Sequence, residues 1–271
     1  MLKHIMTCSL LVSAFFINAS TLPTAQIAII VDDMGGKPND DIAFSLDKNI
    51  TFSILPHTPY STEFSYRAAQ QNREVMLHMP MESLNDNALG EGPILSNMYP
   101  QQIQQALMAA LATVPHAVGV NNHMGSKVTQ MTLPMQSVMR VLSQNNLFFV
   151  DSRTTRFTKA RSIANQYGVT TASRHVFLDH LQTMDFLQQQ FDLLIAKGRK
   201  HGKAIGIAHP HEQTLAFLHN ALDDLPEDVV LITVSQYLQE TDKFRINPKL
   251  ARASQQPIQD TQTQLESVTP D

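Results

Sequence analysis

The chain has 271 residues, of which 43% are hydrophobic, and its formal net charge is −4. This length and composition allow a substantial hydrophobic core. The charge, without a long basic run, leaves a nucleic-acid-binding function without electrostatic support. The single cysteine, Cys8, lies in an apolar N-terminal stretch, which excludes cysteine metal ligands and thiol catalysis from the remainder of the chain.

The N-terminus has the layout of a secretory signal peptide. Lys3 and His4 precede an apolar stretch over residues 5–17, and small polar residues follow, in the order of the charged, apolar and cleavage regions of a signal. The apolar stretch is shorter than the about 20 residues that span a membrane as a helix. We therefore predict a signal peptide over residues 1–20 and a secreted mature protein without a stable membrane span. An uncleaved N-terminal anchor is the alternative.

Short apolar strand candidates alternate with amphipathic helix candidates after the signal. This alternation is typical of βα units with parallel strands. The number of strands favours a (β/α) barrel, distorted or incomplete, and a doubly wound open sheet is the competing topology. The predicted strands cover residues 27–31, 50–55, 75–78, 118–121, 147–150, 169–172, 204–208 and 229–234, and the predicted helices cover residues 101–114, 134–142 and 186–200.

Two segments lack the periodicity of helices and strands. Residues 83–100 contain Gly90 and Gly92 and are predicted to form a long loop over the strand ends. From Asp242 the chain becomes polar and rich in glutamine, which is typical of disorder. The predicted organisation is therefore one domain over residues 25–240, followed by a polar tail over residues 242–271.

Acidic and imidazole side chains occur at the ends of four predicted strands. Asp32 and Asp33 follow the first strand, His78 and His123 follow the third and fourth, and His209 follows the strand over residues 204–208. Taken singly, an Asp-Asp pair is commonly a turn or a helix cap, and a histidine is commonly a structural hydrogen-bonding group. Because parallel strands bring their carboxyl ends to one rim, the joint placement instead predicts one converging metal site.

The residue types indicate a hydrolytic metal centre. Without cysteine, imidazole nitrogen and carboxylate oxygen are the available ligands, and Asp33, His78 and His123 supply three of them. Catalytic zinc takes three protein ligands and leaves a position for water, whose pKa falls to about 7. We predict Asp32 as the general base and His209 as the acid that protonates the leaving group.

Five segments carry a resemblance to a known family. They are Ile-Val-Asp-Asp-Met-Gly, Leu-His-Met-Pro-Met, Gly-Val-Asn-Asn-His-Met-Gly-Ser, Phe-Val-Asp-Ser and Ile-Ala-His-Pro, which begin at residues 30, 77, 119, 149 and 207. Their order and spacing over residues 25–240 resemble the divergent polysaccharide deacetylase family. The resemblance implies a distorted (β/α)7 barrel of the polysaccharide deacetylase type, a periplasmic location, a base at Asp32, a metal ligand at Asp33 and an acid at His209.

The chain departs from the pattern of the wider deacetylase superfamily at one metal ligand. That superfamily takes both histidine ligands from a His-x-x-x-His motif, whereas His78 is followed four residues later by Glu82. The second histidine is therefore assigned to His123. Three residues of the resembling region are assigned as substrate-binding or supporting groups, with helix or turn capping as the alternative for the two aspartates: Asn122, Asp151 and Asp179.

The leading hypothesis is a secreted, zinc-dependent deacetylase that acts on an acetylated cell-envelope glycan such as peptidoglycan. The altered histidine motif supports an alternative from another class, a non-catalytic glycan-binding or regulatory protein on a degenerate deacetylase fold. Hydrolysis of another acyl or glycosidic bond is a third possibility, which its product would reveal.

Overall fold

The computed structural model describes residues 25–85 and 88–242. Strands and helices alternate along this part of the chain. The strands are β1 (Ala25–Met34), β2 (Thr51–Ile54), β3 (Val75–Met81), β4 (Ala117–Met124), β5 (Phe148–Asp151), β6 (Thr171–Ser173), β7 (Val176–Phe177), β8 (Lys203–Ala208) and β9 (Val229–Leu231). The helices are α1 (Ser61–Gln70), α2 (Pro100–Thr113), α3 (Thr132–Gln144), α4 (Ala160–Gln166), α5 (Met184–His201), α6 (Glu212–Asp223) and α7 (Val234–Asp242), with 3-10 helices at Pro38–Ser45 and Val128–Gln130.

The strands form one parallel sheet that curls into a half-barrel. Their order is β6-β5-β4-β3-β2-β1-β8-β7, and β9 pairs with β1 beside this path. The order runs sequentially around the sheet without the reversal of a doubly wound fold, so the predicted deacetylase-type barrel is confirmed. The edge strands of this order are β6 and β7, and the barrel is open between them. Because every pairing is parallel, all the strands present their carboxyl ends to one rim.

Side-chain alternation divides the strands between two apolar clusters. On β1, Ile27, Ile29 and Val31 pack in the larger cluster with the surrounding helices, whereas Ala28 and Ile30 pack in a smaller cluster inside the curl. This follows from the two-residue period of a strand. The smaller cluster also takes Met76, Val150, Ala172, Ile205 and Ile207 from other strands, and Val234, Tyr237 and Leu238 of α7 pack against them.

Each of the eight predicted strands and three predicted helices overlaps an observed element. The two-residue strand β7 and the helices α1, α4, α6 and α7 were not among the predicted ranges. The predicted loop over residues 83–100 carries, in its described part, an isolated bridge between Ile94 and Met81, and Pro100 begins α2. The predicted signal peptide and residues 243–271 of the predicted tail lie outside the described residues, while Asp242 ends α7. Among the described helices, we find none long and apolar enough to cross a membrane.

Candidate active site

The inner face of the sheet changes from apolar to polar as it approaches the carboxyl rim. On β1 the residues whose side chains face the inside of the curl are Ala28, Ile30 and then Asp32. On β3 they are Met76 and then His78. The same step of two residues leads from Ile207 on β8 to His209. The strand period therefore stacks a polar layer directly above the small apolar cluster, and that layer lines the candidate site.

Asp33, His78 and His123 form a compact triangle of ligand-type atoms. Oδ1 of Asp33 lies 3.1 Å from Nε2 of His78 and 2.9 Å from Nδ1 of His123, and the two nitrogens are 3.2 Å apart. Ligands at about 2.0 Å from a tetrahedral ion lie about 3.3 Å from one another. Oδ1 of Asp33 is buried and, although both imidazoles lie within ion-pair distance, it makes no hydrogen bond of regular geometry among the described residues. The three residues therefore fit a divalent metal ion.

The charges of these groups depend strongly on one another. Although burial alone raises the pKa of Asp33, His123 and His78 hold it well below its usual range. Burial alone lowers the pKa of His78, but Asp32 and Asp33 raise it to about 9. Since the metal-free site holds a proton on His78 at neutral pH, metal binding must displace that proton.

We expect the metal affinity of the domain to increase with pH. Below the His78 pKa of about 9, each pH unit of increase should raise the apparent association constant about tenfold, because one proton is released on binding. Chelator-competition titrations with zinc between about pH 6 and 8.5 would measure this slope. An affinity that does not change with pH over this range would contradict the protonated state of His78.

His209 lies beside the triangle and is held by Asp179. Nδ1 of His209 is 3.0 Å from Oδ1 of Asp179, and the backbone N–H of His209 donates to Oδ2 of Asp179 at 2.7 Å. Thr214 Oγ1 donates to the same Oδ2 at 3.2 Å. Burial alone lowers the pKa of His209, but Asp179 raises it. Nε2 of His209 lies 3.9 Å from Oδ2 of Asp33, so the ring reaches the edge of the triangle.

A second group of ligand-type side chains adjoins the first. Asp179, His209 and His211 also bring one ligand atom each within 4.8 Å of one another. In this group, however, the Asp179 carboxylate already accepts hydrogen bonds on both oxygens. The triangle, where Oδ1 of Asp33 makes no hydrogen bond of regular geometry, is therefore the better candidate for a metal site.

Two cavities meet at this centre. One, of about 420 Å³, has the triangle and His209 in its wall. The other, of about 470 Å³, shares Asp33 and His209 with it and extends along Lys37 and His211. The centre is therefore accessible from two sides. The first cavity is lined by Asp32, Asp33, His78, Asn122, His123, Met124, Ser152, Arg153, Thr154, Arg174, Phe177, Ile207 and His209.

The three predicted supporting residues have different contacts around the candidate site. Asn122 lines the first cavity and braces the rim, since its Oδ1 accepts from the Ser152 N–H at 3.0 Å and its Nδ2 donates to the Met124 carbonyl at 2.7 Å. Asp179 binds His209. Asp151 is buried and holds its own loop by accepting from the Arg153 N–H and the Thr158 hydroxyl.

Sequence reasoning did not single out Asn121, Arg174, which directly follows β6, or Phe177 of β7. Arg174 donates from Nε to the Ser152 carbonyl at 2.7 Å, and its guanidinium carbon lies 5.1 Å from the centre of the Phe177 ring. The two-residue period of inward-facing side chains is the sequence signal that could have identified Arg174. Arg174 follows the inward residue Ala172 by two positions, as His209 follows Ile207.

Three non-glycine residues of the cavity wall have left-handed backbone conformations. Asp33, Met124 and Arg153 have φ angles of 58°, 54° and 51°, and they lie at the ends of β1 and β4 and just after β5. This conformation turns the chain sharply, so the adjacent residues Asp32 and Asp33 both reach the site although neighbours on a regular strand face opposite sides. Each such residue costs of the order of 1–3 kcal/mol.

Comparison with known proteins agrees with this architecture. The family model for divergent polysaccharide deacetylases matches residues 29–238. The chain belongs to the divergent polysaccharide deacetylase family. It is 34% identical over 229 residues to the uncharacterized protein YibQ of Escherichia coli, covering 84% of this chain and 72% of YibQ. It is 36% identical over 209 residues to an uncharacterized protein of Haemophilus influenzae, covering 77% of this chain and 75% of that protein.

Solved structures with low sequence identity share the fold of this family member. An uncharacterized protein of Agrobacterium tumefaciens C58 has a TM-score of 0.76 at 19% identity, covering 80% of this chain and 90% of the other. The peptidoglycan deacetylase PdaC of Bacillus subtilis has a TM-score of 0.51 at 16% identity, covering 85% of this chain and 97% of the other. At these identities the likeness extends to the fold alone.

Proposed function

We propose that this deacetylase-family protein is a metal-dependent hydrolase that removes acetyl groups from a cell-envelope glycan. The observation that carries the proposal is the triangle of Asp33, His78 and His123, whose buried carboxylate oxygen makes no hydrogen bond of regular geometry, flanked by Asp32 and His209. Zn²⁺ suits this donor set of two imidazoles and one carboxylate. A divalent ion held there would polarise the acetyl carbonyl and make water more acidic.

The residues beside the triangle supply the proton transfers. Asp32 takes a proton from the attacking water while the oxygen of that water bonds to the acetyl carbon. His209, whose pKa Asp179 raises against the effect of burial, gives a proton through Nε2 to the departing nitrogen or oxygen as the bond to the acetyl carbon breaks. The products are acetate and the free amine or hydroxyl of the sugar.

The shape of the site supports a glycan substrate. Cavities of about 420 and 470 Å³ meet at Asp33 and His209, so sugars on both sides of an acetylated unit can be accommodated. The first cavity offers the half-buried ring of Phe177 for stacking and Arg174 for hydrogen bonding to hydroxyl groups. PdaC, whose fold is similar, is a peptidoglycan deacetylase, and peptidoglycan is the first substrate to test.

The remaining parts of the proposal concern location and organisation. We propose that residues 1–20 direct secretion to the periplasm, that residues 25–240 form the hydrolase domain and that the polar tail lies outside it. A location in the cell envelope would bring the domain to its acetylated glycan. Export of the full-length chain, compared with a chain that lacks residues 1–20, tests this part.

Acetate release by the zinc-loaded protein tests the activity directly. We expect acetate from acetylated peptidoglycan fragments and a loss of about 10²–10⁴-fold in kcat for Asp32→Asn, which removes the base and keeps the size of the side chain. Asp41→Asn, on the exposed side of the adjacent 3-10 helix, is the matched control and should retain activity.

Two other outcomes would identify a different function. Saturable glycan binding without acetate release, in a protein that binds no zinc, would favour the non-catalytic glycan-binding protein. Release of a reducing sugar instead of acetate would indicate glycosidic hydrolysis. Either result would contradict the proposed deacetylase.

A further inference from the structure

Asn121 connects the base to a metal ligand beneath the cavity. It lies on β4 with no exposed surface. Its Nδ2 donates to Oδ1 of Asp32 at 2.7 Å, and its Oδ1 lies 2.7 Å from Nδ1 of His78 and accepts from the Ser53 hydroxyl at 2.6 Å. The four side chains come from the neighbouring strands β1, β2, β3 and β4, and the pairing of His78 with Asn121 across β3 and β4 fixes the register.

The hydrogen bonds determine which way the Asn121 amide faces. A carboxylate only accepts hydrogen bonds, so the NH₂ group of Asn121 must face Asp32. The carbonyl oxygen then faces both Ser53 and His78 and must accept from each. The reversed amide would place its oxygen against the Asp32 carboxylate, leaving that buried oxygen without a donor.

This orientation determines the state of the His78 ring. Because Oδ1 of Asn121 accepts at 2.7 Å, Nδ1 of His78 carries a hydrogen. In the neutral ring Nε2 then holds the lone pair, and Nε2 is the atom 3.1 Å from Asp33 and 3.2 Å from His123. The ring thus presents a lone pair to the place where the metal would bind.

We propose that Asn121 is a positioning residue that sets the His78 tautomer for metal binding and holds the Asp32 carboxylate in place as the base. This role rests on the proposed function, because it acts through two residues of the proposed metal-dependent site. One side chain couples ligand and base, so a single substitution should affect metal affinity and proton transfer together. Outer hydrogen-bond partners of metal ligands commonly contribute about 10–100-fold to affinity.

Two substitutions separate the two halves of this role. Asn121→Leu has a similar size and removes both the acceptor for His78 and the donor to Asp32. Asn121→Asp keeps an acceptor for His78 and replaces the neutral amide donor to Asp32 with a second carboxyl group, which shares a proton with Asp32 and so impairs it as a base. Ser53→Ala is the matched control, since it removes a hydrogen bond to Asn121 and leaves the bonds to His78 and Asp32.

The experiment measures zinc affinity by chelator competition, the ¹⁵N-edited NMR signal of the His78 Nδ1–H in zinc-loaded protein, and kcat for acetate release. For Asn121→Leu we expect an affinity loss of about 10–100-fold and loss of the protected Nδ1–H signal. For Asn121→Asp we expect the signal and the affinity to be kept while kcat falls. Ser53→Ala should match the wild type in signal and, within about threefold, in affinity.

The outcomes distinguish this role from the proposed function. If the wild type binds zinc and Asn121→Leu keeps both the affinity and the Nδ1–H signal, the role of Asn121 is overturned alone. If Asn121→Leu does not fold, Asn121→Asp decides, and loss of its Nδ1–H signal or an unchanged kcat would overturn the role. If the wild type binds no zinc, the proposed function fails and the role fails with it.

Discussion

We expect that replacing Asp33 with alanine removes zinc binding from the domain while the fold is retained. Asp33 is the anionic member of the triangle, and its Oδ1 lies about equally close to both histidine nitrogens. Without it, two adjacent imidazoles remain, and Asp32 still favours the protonated form of one of them, His78. We expect zinc affinity to fall by more than the about 100-fold that marks the upper range for outer partners of metal ligands.

Elemental analysis and chelator competition on the purified protein would measure this loss, and circular dichroism would confirm the fold. Asp41→Ala is the matched control, because Asp41 is an exposed aspartate on the 3-10 helix that follows β1. Full zinc content in Asp33→Ala would show that the metal binds elsewhere. The neighbouring group of Asp179, His209 and His211 would then be the site to test.

Replacing His209 with asparagine should abolish most of the activity and leave zinc binding unchanged. His209 Nε2 lies 3.9 Å from Oδ2 of Asp33 and is not a corner of the triangle. Removing a general acid costs about 10²–10⁴-fold in rate. We therefore expect kcat for acetate release to fall within that range, while zinc stoichiometry and affinity match the wild type.

Asp179→Asn should weaken the same step through the pKa of His209. Burial alone lowers that pKa, and Asp179 raises it, so the wild-type ring stays protonated to a higher pH than an ordinary histidine. Without the carboxylate, the basic limb of the pH–rate profile should move to lower pH. His219→Asn, at an exposed position of α6, serves as the control. Zinc loss in His209→Asn, or a pH profile unaffected by Asp179→Asn, would remove His209 from the acid role.

Much of the barrel could be predicted because its strands are buried on both faces. Runs such as residues 27–31 are continuous and rich in β-branched residues, a pattern that marks a buried parallel strand. β7 escaped prediction since two residues, Val176 and Phe177, carry no periodicity. The parallel pairing then explains why residues far apart in sequence, such as Asp33 and His209, meet at one rim.

The part of the site that could not be predicted depends on which face of the sheet a polar side chain lies on. Asn121 and Asn122 are adjacent and both buried, and the sequence alone does not reveal which one faces the base. The structure places Asn121 inside the curl against Asp32 and His78, and Asn122 against Ser152. The register of β3 with β4 pairs His78 with Asn121. This register determines that Asn121, and not Asn122, contacts His78 and Asp32.

The left-handed backbone at Asp33 has a consequence for engineering this domain. Glycine adopts that conformation without the steric cost borne by other residues, so relief of backbone strain alone would favour glycine at Asp33, and equally at Met124 and Arg153. At Asp33 the same exchange deletes the carboxylate of the triangle. Relief of backbone strain and retention of the proposed metal ligand therefore oppose each other at this position, and variants should be ranked by both stability and activity.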